Sequence, residues 1–166
     1  MWPDSFGNPT EINRFEYLGY YDNKDILTFN EFCKEFTLLD KLKLLNISLS
    51  EQVTSIPKEI GNMHNLRTLV LADSDASVEM PDEFYKLTNL KHLVISDSEK
   101  IIVDLTKICK SMTKLEALNL EYSGLNGQIP SEIGNLRKLT DLSLRDNKGL
   151  SGPIPDEILN LTNLCE

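Results

Sequence analysis

LEALNLEYSGLNGQIPSEIGNLRKL, residues 115–139, reads as one complete unit of a repeat. It opens on Leu115, Leu118 and Leu120 in the spacing LxxLxL, passes Ser123, and closes on Leu139, where the same spacing starts again. Working outward, the opening leucine recurs at Leu42, Leu66, Leu90, Leu115, Leu139 and Leu164, in steps of 24, 24, 25, 24 and 25 residues. All but the last begin the same phrase, completed by Leu45 and Ile47, Leu69 and Leu71, Leu93 and Ile95, Leu118 and Leu120, and Leu142 and Leu144. A fixed period in this range marks an array of like supersecondary units, not a domain wrapped around one centre.

Three further columns keep the same phase. Ten residues before each opening leucine stand Phe32, Ile56, Met80, Leu105, Ile129 and Ile154; six before stand Phe36, Ile60, Phe84, Cys109, Ile133 and Ile158. Three before stand Leu39, Met63, Leu87, Met112, Leu136 and Leu161. All are apolar, so they are the expected core. An earlier row fits with Phe15, Leu18 and Tyr20, preceded by Ile12. The expected organisation is a single domain: a cap-like segment 1–14, turns 15–41, 42–65, 66–89, 90–114, 115–138 and 139–163, and the opening of a further turn at 164–166.

Alternation of leucine with variable residues predicts a short strand with one buried face. Successive strands then stack in parallel about 4.8 Å apart. After each strand comes a polar residue: Asn23, Ser50, Ser74, Ser98, Ser123 or Asn147. Its side chain is expected to turn inward and satisfy backbone groups freed where the strand ends. Serine has fewer hydrogen-bonding groups than asparagine, so the middle of this ladder should be the weaker part. Gly127 and Gly152 allow a bend, and Pro130 and Pro155 set φ ahead of a short helical piece.

The segments GLNGQIPSEIGNLRKL (124–139) and GLSGPIPDEILNLTNL (149–164) resemble the plant-type leucine-rich repeat, LxxLxLxxNxLxGxIPxxIGxLxxL. The resemblance covers residue 42 to the end, and 15–41 more loosely. It weakens at VTSIPKEIGNMHNL and EMPDEFYKLTNL, which keep the proline only, and most at IIVDLTKICKSMTKL, which has neither glycine nor proline. It implies an α/β fold: a right-handed curved solenoid with a concave parallel sheet, a second smaller strand region, and short helical or 3-10 segments on the convex side. It also implies recognition, as in receptor-like kinase ectodomains and inhibitors of wall-degrading enzymes, and an extracellular or cell-surface location, with a cytoplasmic one as alternative. No secretion signal and no cysteine-paired cap is visible in the sequence. The array stops mid-turn at Leu164-Cys165-Glu166, so a piece of a longer protein is expected, the alternative being a last interface covered by a partner.

A net charge of −9 argues against nucleic-acid backbones and anionic membranes as partners, since both select basic surfaces. No apolar run approaches the roughly 20 residues of a membrane helix. Cys33, Cys109 and Cys165 cannot all pair with one another. Cys109 shares a column with Ile60 and Ile133 and is expected as a small buried hydrophobe, and no Cys/His spacing suggests a metal. Neither a cofactor nor a catalytic residue is expected; His64 falls in a return loop, and His92 stands in no recognisable triad.

Function then falls to the residues between the leucines. One residue after each opening leucine stand Lys43, Arg67, Lys91, Glu116 and Thr140; seven after stand Leu49, Asp73, Asp97, Tyr122 and Asp146. In extended chain those edges would lie about 20 Å apart. Between them run Leu44, Thr68, His92, Ala117 and Asp141, the central column Asn46, Val70, Val94, Asn119 and Ser143, and then Ser48, Ala72, Ser96, Glu121 and Arg145. An apolar strip with a charged border resembles an interface core with its rim. The candidate contact residues are Val70, Val94, His92, Asp73, Asp97, Tyr122 and Arg145, aromatic and arginine side chains being frequent anchors. Paired carboxylates at Asp73 and Asp97 are expected to meet a partner's lysine or arginine, because too few oxygens surround them for calcium.

Asn46 and Asn160 begin candidate N-glycosylation triplets, Asn46 on the strand face and Asn160 on the return side. The expected function is a non-enzymatic module that binds a protein or peptide on its concave face. The alternatives are a binder of cell-wall polysaccharide or inhibitor of wall-degrading enzymes, and a structural segment of a longer receptor-like protein.

Overall fold

The computed structural model describes residues 14–17, 41–47, 49, 53 and 55–165. The expectations placed on segment 1–13, Leu18, Tyr20, Asn23, Phe32, Cys33, Phe36, Leu39, Ser48 and Ser50 lie outside the described residues. In chain order the strands are β1 (Arg14–Tyr17), β2 (Leu44–Ile47), β3 (Thr68–Ala72), β4 (Val78–Glu79), β5 (His92–Ser96), β6 (Ile101–Ile102), β7 (Ala117–Asn119), β8 (Asn126–Gln128), β9 (Asp141–Ser143) and β10 (Gly149–Ser151).

Six of them form one all-parallel sheet, in the order β1-β2-β3-β5-β7-β9. Its register follows the repeat: Leu45, Leu69, Leu93, Leu118 and Leu142 are successive partners across the ladder. Each turn therefore lays its leucines on those of the turn before. Leu42, Leu66, Leu90, Leu115 and Leu139 are all buried, as are the rear-column residues Met63, Leu87, Met112, Leu136 and Leu161. A fully buried leucine contributes about 1.5–3 kcal/mol through its removal from water. The columns hold until the last turn, where Ile154 is 67% exposed, and Leu159, outside the columns, is 79% exposed. A solenoid turn buries its apolar face only against its neighbours, so the outermost described turn is the least covered.

The polar ladder is present at Ser74, Ser98, Ser123 and Asn147, all buried. Ser74 Oγ accepts from the Leu49 N–H at 3.0 Å, and Ser98 Oγ accepts from the Ser74 N–H at 3.3 Å. Asn147 does more. Its Oδ1 accepts from the N–H groups of Ser123 (3.1 Å) and Leu125 (3.0 Å), while its Nδ2 donates to the carbonyls of Leu120, Leu144 and Arg145 at 2.7, 2.9 and 3.1 Å. The amide has two donor hydrogens and a two-lone-pair oxygen where a hydroxyl has one hydrogen, which accounts for the difference.

The return paths are 3-10 helices wherever a proline leads them: η1 (Lys58–Asn62), η2 (Asp82–Lys86), η3 (Ser131–Asn135) and η4 (Asp156–Asn160). Pro57, Pro81, Pro130 and Pro155 hold φ between −65° and −74° in extended backbone just ahead of each. The turn with neither glycine nor proline forms an α-helix instead, α1 (Leu105–Ser111). Asp104 caps it, its carboxylate accepting from the Lys107 N–H at 3.0 Å. Leu105, Ile108 and Cys109 form its buried face, at helical spacing.

Candidate ligand-binding face

Six of the seven candidate residues fall into two groups. Val70 and Val94 are direct partners on β3 and β5, half-buried, with Asn46 and Asn119 completing their row on either side. His92 lies one row away, opposite Thr68 and Ala117. Its Nδ1 is 3.1 Å from Thr68 Oγ1, and its Nε2 is 3.9 Å from a Glu116 carboxylate oxygen. Val70, Val94 and His92 thus form one contiguous patch on the exposed side of the main sheet.

Asp73, Asp97 and Tyr122 do not continue the strands. Together with Asp146 they adopt left-handed backbone, φ 50°, 49°, 49° and 57°. Each turns the chain away from the sheet at the same point of its repeat. The turns are tied together by backbone bonds: Asp73 N–H to the Ser96 carbonyl (3.2 Å), Asp97 N–H to that of Glu121 (3.2 Å), and Tyr122 N–H to that of Arg145 (3.0 Å). Asp73 and Asp97 directly follow β3 and β5, so the turn begins at the second edge itself. Aspartate tolerates the left-handed region better than most residues, and three of the four positions carry it. That recurrence was a usable signal. Tyr122, also exposed, is the departure from it.

Two other expectations need correction. Leu49 does not join the exposed column but is buried at 2% exposure, where its N–H also feeds the Ser74 ladder. The basic edge is shorter than the sequence suggested. Lys91 Nζ lies 2.7 Å from Glu116 Oε1 on the next turn, and this hydrogen bond holds the Glu116 carboxyl below the usual range. Arg67 Nη1 donates to the carbonyls of Leu66 (3.3 Å) and Asn89 (3.4 Å). Lys43 is exposed. Arg145 is exposed beyond the end of β9, and Asn46 is half-buried on β2, whereas Asn160 is exposed at the end of η4.

Cys109 lies wholly buried on the inner face of α1, and burial pushes its thiol up to about 12. At pH 8 it should resist alkylation while exposed Cys165 reacts, as read by mass spectrometry of the native protein. The sign for stability follows from proton binding. Above the thiol's ordinary value of about 8.5 the unfolded chain loses this proton and the folded chain keeps it, so Cys109 lowers stability as pH rises, by at most about 1.4 kcal/mol per unit. Urea unfolding at pH 7 and 10 should show that loss in the native protein, and a smaller one in Cys109→Ala.

Among the described residues no group of three histidine, cysteine, aspartate or glutamate side chains is placed to hold a metal ion. Among them, too, no helix is long and apolar enough to cross a membrane.

The family model Leucine Rich Repeat matches residues 114–136. No curated protein matches the chain. A similar solved structure is the plant peptide hormone receptor RGFR1 in complex with RGF2: 28% identity, TM-score 0.70, covering 98% of this chain and 25% of that one. Another is the ectodomain of the plant membrane receptor kinase GASSHO1/SCHENGEN3 from Arabidopsis thaliana, in complex with CASPARIAN STRIP INTEGRITY FACTOR 2. It is 29% identical with TM-score 0.67, over 78% of this chain and 15% of that chain. A plant ice-binding protein is similar as well, at 26% identity and TM-score 0.61, over 75% of this chain and 40% of its own. The chain thus spans a quarter or less of the two receptors. Repeat phase, parallel ladder, proline-led 3-10 returns and these likenesses agree on a leucine-rich-repeat fold similar to that of plant receptor ectodomains.

Proposed function

We propose that the chain is a non-enzymatic recognition module that binds a protein or peptide on the exposed face of its main sheet. The observation carrying this is the patch of Val70, Val94 and His92, bordered on one side by Asp73, Asp97 and Tyr122 in turns of fixed geometry. An apolar centre with a charged rim is the usual anatomy of an interface, and a rim held by left-handed turns is ordered before binding. The two receptors described above were solved with a peptide hormone or a named factor bound, which supports a peptide or protein partner. The ice-binding neighbour shows that the same fold carries other ligands, so the choice rests on the residues of the face.

A cell-wall polysaccharide has less support. An acidic one needs free cations, and of the three on this edge Lys91 is engaged by Glu116 and Arg67 by two carbonyls.

The test is the double substitution Val70→Arg, Val94→Arg. Two charges in the apolar centre should lower partner recovery in affinity capture at least about tenfold, equivalent to roughly 1.4 kcal/mol or more. Far-UV circular dichroism should match the native protein, since both positions point away from the core. Unchanged recovery by the folded variant would remove the proposal.

A further inference from the structure

Beyond the turns that end the main strands, the chain makes a second line of short strands, and among the described residues that line is interrupted between β6 and β8. β4 pairs with β6, and β8 pairs with β10, each in parallel. β6 and β8 belong to consecutive turns, yet among the described residues no ladder joins them. The interruption falls where the turn without glycine or proline, passing from β6 straight into α1, meets the first turn of the GLNGQIP type. A groove of about 700 Å³ opens there, lined by Glu79, Asp82, Ile102, Asp104, Asn126 and Gln128 among others. That volume falls within the range of about 300–1,000 Å³ of ligand sites.

Three properties of the groove specify an occupant. The facing edges of β6 and β8 lack a described partner strand, and such edges accept an added strand. Ile102, on β6, is 59% exposed at the groove, an apolar contact for a side chain. The charged lining comprises the carboxylates of Glu79, Asp82 and Asp104 against one ammonium, that of Lys107, which already lies 2.6 Å from Asp82. The groove is therefore net acidic. A sugar would want an open aromatic face, but Tyr85 is buried and carries the Lys107 ammonium over its ring, 5.2 Å from the centroid.

We propose that this groove binds an extended, basic peptide segment of a partner protein. The segment's backbone adds to the free edge of β6 or β8, and its lysine or arginine side chains meet Glu79, Asp82 and Asp104. The site shares no residue with the seven candidates of the main face, so it stands or falls separately from the function proposed above.

The test uses an acetylated, amidated hexapeptide of sequence TVRVRT titrated into isotope-labelled protein by NMR. Amide signals of Ile102, Val103, Asn126 and Gln128 should shift. Binding should weaken at least about fivefold with exposed Glu79→Lys, disappear when alternate peptide amides are N-methylated, and disappear when both arginines become glutamate. The two altered peptides test the site on the native protein, whatever the folding of the variant. No shift at millimolar peptide, shifts confined to the main-sheet strands, or equal binding of the methylated or acidic peptide would overturn the proposal.

Discussion

Phe84→Ala is expected to lower the free energy of unfolding by about 3–5 kcal/mol, the usual cost of truncating a fully buried phenylalanine. Phe84 is completely buried in the column shared with Ile60, Cys109 and Ile133, and it is among the largest fully buried side chains described. Its ring meets that of Tyr85 edge-on, with centroids 5.2 Å apart and planes at 81°. The Tyr85 hydroxyl in turn accepts from the Asp104 N–H at 2.8 Å, the residue that caps α1. A cavity at Phe84 therefore loosens its own turn and the cap of the next. In a linear array stability is a sum of turn and interface terms, with no distant core to compensate. Urea unfolding followed by circular dichroism should show the loss, and Phe84→Leu should retain more of the stability by filling most of the space. A loss below about 1 kcal/mol for the alanine variant would contradict this account.

The second large effect is expected at Gly124. Its φ is +69°, and a Cβ built there would lie 2.2 Å from the Glu99 carbonyl oxygen of the preceding turn. That contact is with backbone, so it cannot be relieved by rotating a side chain. Gly124→Ala combines a left-handed alanine, about 1–2 kcal/mol, with overpacking of about 1–3 kcal/mol, giving about 2–5 kcal/mol in all. Gly127 is the internal comparison: its φ is +81°, but an added Cβ meets nothing within 4 Å. Gly127→Ala should cost only the conformational part, about 1–2 kcal/mol. Thermal melts of the two variants side by side measure the difference, and equal destabilisation would show that the close approach to Glu99 does not matter.

Much of this structure was legible in the chain. The six columns from Leu42 onward named most of the core, though not Val78, Ile101 or Leu125, and the burial of Cys109 followed from sharing a column with Ile60 and Ile133. The inward polar ladder was legible too, including the richer role of Asn147 relative to the serines. The face was legible in composition but not in shape. Counting from the leucines placed Asp73 and Asp97 on strands, whereas left-handed backbone takes them off it, and counting placed Leu49 outside when it is inside. Lys91 read as a free cation because its partner, Glu116, is 25 residues away on the next turn.

Sequence alone determined what every turn must do identically: bury its leucines, end its strand, turn on a polar side chain, and return. Those demands repeat with the period, so they leave a periodic record. Tertiary structure alone decided what happens between two particular turns. The Lys91–Glu116 pair, the backbone approach of Glu99 to Gly124, and the break between β6 and β8 each depend on how unlike neighbours stack. Such differences carry no period, because the energy that creates them belongs to the interface between turns and to neither turn by itself.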